Sequence, residues 1–219
     1  MNIAIDGPAG AGKSTIAKLV AKEMGSVYVD TGAMYRAMAL RMLNLGVNTE
    51  DTAAITEASK DADISIRYVD GEQRVILDGK DVSEEIRTNE VSGLASVVAA
   101  VPAVREKLVA LQQKLARETA VVMDGRDIGT TVLPDAELKI YLTASQKERA
   151  RRRFAQNAEK GLPEVPMDYL IGEIAERDRR DMTRSVSPLR KAEDAVLLDS
   201  SEMTIEEVVS AILKLAEAV

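Results

Sequence analysis

The sequence has no cysteine and no histidine. Without thiols there is neither a disulfide nor a thiolate metal site, a composition that suits a reducing compartment. Without imidazole, catalysis must do without the commonest general base, which argues against triad hydrolases. No apolar run reaches the roughly 20 residues that cross a bilayer. The N-terminus lacks the charged segment and apolar stretch of an export signal. A cytoplasmic protein away from membranes is therefore expected. Positive charge is in short supply too. The 29 Lys and Arg against 36 Asp and Glu leave a net charge of −7 and a pI near 4.9. A nucleic-acid partner is not expected, because such binding rests on many cations neutralising backbone phosphates. The 219 residues are enough for one domain with inserts and a real core.

What is present begins with "IAIDGPAGAGKST". Gly7-x-x-x-x-Gly12-Lys13-Ser14 fits a phosphate-binding loop, set between an apolar strand and a helix. Gly7, Pro8, Ala9, Gly10, Ala11 and Gly12, with Lys13, Ser14 and Thr15, are expected to hold the phosphates of ATP. Glycines let successive N–H groups turn toward one centre, and the helix N-terminus adds roughly half a positive charge. Lys13 would reach the β- and γ-phosphates and Ser14 would ligate Mg²⁺. Asp124, ending the strand "AVVMD", stands where a second Mg²⁺-organising oxygen belongs. The bland alternative, a glycine-rich turn with a chance lysine, does not explain the strand–loop–helix setting. A GTPase would need Asp-x-x-Gly and Asn-Lys-x-Asp, and neither occurs. Motor and transporter ATPases usually run longer. Kinases of small acceptors remain.

The runs "NIAID", "VYVD", "AVVMD", "LKIYL" and "AVLLD" read as five buried strands separated by helices. That pattern predicts an α/β fold of P-loop NTPase type, a parallel sheet with helices on both faces. Residues 64–78 interrupt it with two β-rich runs around Asp70-Gly71, the signature of a hairpin insert. Helices are predicted over 31–46 and 89–101, from Pro102 onward, and from Pro166 to Asp181. Ser145 with Glu148 and Thr204 with Glu207 read as capping boxes of two more. The stretch 157–168 is the most loop-like. Tyr35 and the methionines around it read as core filler.

Arginines mark the acceptor side. Arg36 lies one turn inside an apolar helix. Arg126 and Asp127 follow the strand "AVVMD", and residues at the carboxyl end of a parallel strand face the binding crevice. "ERDRRDMTR" carries Arg177, Arg179, Arg180 and Arg184. Each alone reads as a solvated helix face, a turn or a set of i,i+4 ion pairs. All three beside a phosphate loop point to capture of a second phosphate, the task for which guanidinium is suited.

The segments "IAIDGPAGAGKST", "DTGAMYRA", "DGRDIGT", "ERDRRDMTRSVSPL" and "AEDAVLLDSS", in that order along essentially the whole chain, resemble the bacterial cytidylate kinase family. The resemblance implies a single nucleoside monophosphate kinase domain. Its core would be about 1–30, 88–148 and 183–219, its acceptor-binding insert about 31–87, and its lid about 149–182. It implies a monomer that turns ATP and CMP or dCMP into ADP and CDP or dCDP, with Mg²⁺, in pyrimidine metabolism. Arg36, Arg126 and Arg184 would hold the acceptor phosphate, the last two joining Lys13 as catalytic cations. Ser96, Arg105 and Asp127 would read cytosine, and Arg177 and Asp181 would lie near the ribose. Thr31 would offer a further hydroxyl. Arg149, Arg152 and Arg153 are candidates to reach the ATP phosphates, with no choice made among them. The chemistry is consistent: Asp127 accepts from the cytosine amino group and Arg105 donates to N3 or O2, whereas uracil would turn a carbonyl toward the carboxylate. Two other readings stand beside it, a kinase of a different acceptor and a nucleotide-binding regulator without turnover.

Overall fold

The computed structural model describes residues 1–159 and 161–219. In chain order its elements are β1 (Ile3–Asp6), α1 (Lys13–Glu23), β2 (Val27–Asp30), α2 (Thr31–Asn44), α3 (Thr52–Lys60), β3 (Ile64–Val69), β4 (Glu72–Leu77), β5 (Lys80–Asp81), α4 (Asn89–Val98), α5 (Pro102–Glu118), β6 (Val121–Gly125), β7 (Leu138–Thr143), α6 (Gln146–Glu159), α7 (Met167–Thr183), β8 (Val196–Asp199) and α8 (Ile205–Glu217). They gather into two compact units, Met1–Tyr28 with Thr119–Val219, and Val29–Glu118.

The first unit is built on a five-stranded sheet in the order β2-β6-β1-β7-β8. β1 pairs in parallel with β6 and β7, and β7 with β8. β1 and β6 are buried along their length, which is why they read as unbroken apolar runs. The apolar run of β8 predicts a buried strand as well. It is the edge strand instead, and Val196 and Leu197 are 37% and 58% exposed. Ile16, Ala17 and Val20 of α1 and Val208, Ile212 and Ala216 of α8 recur at helical spacing and pack with Ile3, Ile5, Val122, Ile140 and Leu142. Burying one such aliphatic side chain contributes about 1.5–3 kcal/mol. α6 and α7 close a smaller core of Ala150, Leu170 and Ile174, flanked by Phe154 and Ile171. Among the described residues no helix is long and apolar enough to cross a membrane.

The capping box of α8 forms in full. That of α6 forms by half. Glu148 N–H donates to Ser145 Oγ at 3.2 Å, but the Glu148 carboxylate is taken by Arg151 and Arg152, and Ser145 N–H donates to Ser201 Oγ.

In the second unit Met34, Met38 and Met42 of α2 are fully buried, the i, i+4 stripe of a core helix. β3 and β4 form the expected antiparallel hairpin. Its turn places Asp70 and Gly71 at φ 52° and 78°, the pair of positive values that a type I′ turn requires. Asp78-Gly79 repeats that geometry at 50° and 82° and adds β5, a third strand the sequence reading does not place. α3 is also additional, capped by Asp51, whose carboxylate accepts from Ala53 and Ala54 N–H. The unit extends to Glu118. Residues 88–118, expected in the core, belong to it because α4 packs on α2, and α5 on α2 and α3.

Candidate active site

β1 runs straight into the phosphate loop. Gly7 has φ 153°, and a Cβ there would lie 1.9 Å from the Leu142 carbonyl oxygen, so a side chain is excluded. Gly12 caps α1 at φ 87° with no side-chain cap, and α1 has no acidic residue in its first turn. The opening N–H groups of α1 are thus left to an anion, which the helix terminus favours.

Lys13 is 6% exposed and donates from Nζ to the Pro8 carbonyl at 2.8 Å. Burial, together with the charge of Arg126, lowers its ammonium to about 7, against the opposing pull of Asp124. Ser14 Oγ donates to Asp124 Oδ2 at 2.9 Å, and Tyr28 OH donates to Asp124 Oδ1 at 2.8 Å. The sequence reading pairs Ser14 with Asp124 as oxygen donors, and the structure brings them together. The sequence reading does not place Tyr28 there.

β6 ends beside β1, with Asp6 in register with Gly125. The chain after Gly125 carries Arg126 and Asp127 and then a π-type turn over Ile128–Val132, a form that clusters at functional sites. Arg126 Nε donates to Asp181 Oδ2 at 2.7 Å. Burial would raise the pKa of Asp181, but Arg126 beside it, then Arg177 and Arg184, hold it below the ordinary carboxylate value. Arg184 Nη2 lies 3.4 Å from Asp127 Oδ1, both side chains under a tenth exposed, and Arg184 Nε donates to the Ser187 carbonyl. Buried Lys13, Asp124, Asp127 and Asp181 and the partly buried Arg126, Arg177 and Arg184 therefore form one field of mixed charge.

The three arginines of α6 separate. Arg149 does not reach out from a lid. It is 5% exposed and donates to the Ala9 carbonyl at 2.9 Å and to Asp178 Oδ2 at 2.6 Å, while Asp178 Oδ1 accepts the Ala9 N–H at 3.1 Å. This ion pair between α6 and α7 grips both sides of one loop residue. Arg152 bonds the Ala11 carbonyl, Ser200 and Glu148, and its Nη1 lies 3.7 Å from where a Cβ on Gly12 would stand. Arg153 is half-buried and bonds Gln156. The sequence reading does not find Asp178 or Ser200, because the partners they meet lie 29 to 169 positions away for Asp178 and 48 for Ser200.

In the second unit Arg36 Nη2 pairs with Asp30 Oδ2 at 2.8 Å, and Asp30 also accepts from Ala33 N–H as the N-cap of α2. Burial pushes the Asp30 carboxyl up, and Arg36, the Ala33 N–H and Arg87 more than offset it, so it titrates below its usual range. Thr31, buried, opens α2, and Ser96 lies half-buried on α4. Arg105 is 3% exposed, donates to the Ala99 carbonyl at 3.2 Å and stands 5.3 Å from the ring centre of Tyr35. Tyr35 is thus core filler that also fixes a guanidinium by its ring face.

Residues 3–218 match the family model described as cytidylate kinase. The chain is 56% identical over 215 residues to the cytidylate kinase of Caldicellulosiruptor saccharolyticus, covering 98% of this chain and 95% of the relative. It is 53% identical over 219 residues to that of Bacillus pumilus, at 100% and 97% coverage. It is 52% identical over 215 residues to that of Limosilactobacillus reuteri, at 98% and 94%. Among solved structures, an uncharacterized protein of Eubacterium ventriosum superposes with a TM-score of 0.55 at 12% identity, covering 100% of this chain and 99% of the other. The shikimate kinase of Bacteroides thetaiotaomicron does so with 0.50 at 13%, covering 99% and 98%. At such identities these two likenesses speak to the fold alone. With a family model matched over nearly its whole length and relatives above half identity, this chain belongs to the cytidylate kinase family.

Proposed function

We propose that this protein transfers the γ-phosphoryl group of ATP to CMP or dCMP, releasing ADP and CDP or dCDP, as a step of pyrimidine nucleotide metabolism. The observation that carries the proposal is the adjacency of two strand ends. The phosphate loop leaves β1, and the Arg126-Asp127 segment leaves β6 at the register position beside it. A donor triphosphate and an acceptor phosphate held there present two anions to each other. Transfer of the phosphoryl group is then chiefly a matter of alignment and charge neutralisation.

An acceptor phosphate oxygen attacks the γ-phosphorus, the bond to the bridging oxygen breaks, and ADP leaves. Lys13 and the N–H groups of the phosphate loop stabilise the donor side. Arg126 and Arg184 neutralise the acceptor phosphate in the first unit. Arg177 and Asp181 lie toward its ribose, and Asp127 accepts from the cytosine amino group. In the second unit Arg36 serves the phosphate, and Ser96 and Arg105 serve the base. Arg149 and Arg152 both touch the loop, and Arg152, beside Gly12 and 26% exposed where Arg149 is 6%, is the one assigned to the ATP phosphates.

Ser14 and Asp124 fit a Mg²⁺ ion, being hard oxygen donors already in contact. Among the described residues there is no cluster of three or more acidic, His or Cys side chains for a metal, as suits an ion that keeps waters and substrate phosphates as most of its ligands. When bound, Mg²⁺ neutralises charge on the β- and γ-phosphate oxygens.

The test follows the label. With γ-³²P-ATP and CMP, radioactivity should appear in CDP. Label released mainly as inorganic phosphate, with or without CMP, would overturn the proposal.

A further inference from the structure

Asp6 is the last residue of β1 and the one before the phosphate loop, yet it points away from the loop's work. It is 4% exposed. Its Oδ1 accepts the Ile128 N–H and its Oδ2 the Gly129 N–H, both at 2.8 Å. These are the first two N–H groups of the π-type turn, and the second is one that an N-cap side chain ordinarily satisfies. The residue in the N-cap position is Asp127, and its side chain makes no cap hydrogen bond.

We infer that Asp6 is a positioning residue for base selection: it caps the turn from a neighbouring strand, so that the carboxylate of Asp127 is spared that duty and aimed at the acceptor base. The inference rests on the proposed role of Asp127 in reading cytosine. A carboxylate suits the task because, ionised, both its oxygens accept and neither donates. Burial raises the Asp6 pKa to about 6 and the two N–H bonds work against that rise, which leaves the group mostly ionised at neutral pH. The packing around the turn is close. A Cβ on Gly129 would lie 3.2 Å from Lys139 Cδ and 3.5 Å from Asp6 Oδ2, so the turn has little room to shift while keeping both bonds.

Asp6→Asn preserves shape but turns an amide N–H toward one of the two donors. We expect the KM for CMP to rise, the KM for ATP to stay within about twofold, and the ratio of kcat/KM for CMP over UMP to fall about tenfold. Asp127→Ala tests the underlying reading on its own. If it leaves that ratio unchanged, the base-reading role fails. If it lowers the ratio and Asp6→Asn does not, the positioning role fails alone. In the double variant Asp6→Asn must add nothing further to the loss of selectivity, because it acts through Asp127. A further additive fall, or equal rises in the KM for CMP and ATP, would make Asp6 a structural residue only. Should Asp6→Asn not fold, hydrogen exchange on the unaltered protein decides. The Ile128 and Gly129 amides must exchange slowly, and exchange at the rate of open loop amides would overturn the inference.

Discussion

Replacing Lys13 with methionine is expected to end turnover and, in the absence of nucleotide, to make the protein more stable. The lysine is buried, and that burial, reinforced by Arg126 and Arg177, lowers its pKa from 10.5 to about 7 even though Asp124 and Asp181 pull the other way. The sign follows from linkage. The unfolded chain binds this proton more tightly than the native one, so native stability rises with pH between about 7 and 10.5, and the penalty is fully present below about 7. At 1.36 kcal/mol per pKa unit, a shift of this size costs a few kcal/mol at pH 7. Methionine removes that cost. It also gives up the bond to the Pro8 carbonyl, worth about 1 kcal/mol, while the pull of the two carboxylates is already contained in the lowered pKa. A net gain of about 2–3 kcal/mol remains, which for a chain of this length raises the melting temperature by about 4–12 °C. Thermal melts at pH 7 and pH 9.5 read it out. The gap between variant and wild type should shrink at the higher pH, where native Lys13 is already neutral. A variant that melts below wild type at pH 7, or a gap that widens with pH, would refute the reasoning.

Other expectations are as direct. Asp127→Ala should lower CMP turnover and bring the CMP and UMP rates closer by at least about tenfold in steady-state assays, since a buried acceptor matched to an amino group rejects a carbonyl. Arg149→Met leaves the Asp178 carboxylate buried without its cation. It should cost about 3–5 kcal/mol in chemical denaturation, while Arg149→Met combined with Asp178→Leu should cost less than the single change. Asp124→Asn should raise the Mg²⁺ concentration for half-maximal rate about tenfold and lower kcat, in a titration at saturating ATP and CMP.

Much of the fold was legible because its signals are local. The phosphate loop is a contiguous pattern, the buried strands are contiguous apolar runs, and Asp70-Gly71 spells its own turn. Asp78-Gly79 carried the same signal, but the two-residue strand after it is too short to show a period. Ser145 and Glu148 fit a capping box, and what the spacing did not reveal was that Arg151 and Arg152 compete for the same carboxylate. The site was legible in its residue types and less so in its pairings. Arg149 looks like a solvated lid arginine in "RARRR", yet it meets Ala9 from 140 positions away. Asp6 reads as the end of a strand, and its two partners lie 122 and 123 positions on. Contacts over such separations leave no periodicity or spacing in one sequence.

Purified protein given ATP and Mg²⁺ with CMP, dCMP, UMP or AMP in parallel, and ADP formation followed, asks the central question most directly. CMP and dCMP are expected to drive ADP release far above UMP and AMP, with little release when no acceptor is added. Equal rates with AMP, or no stimulation by CMP, would contradict a kinase that selects cytosine.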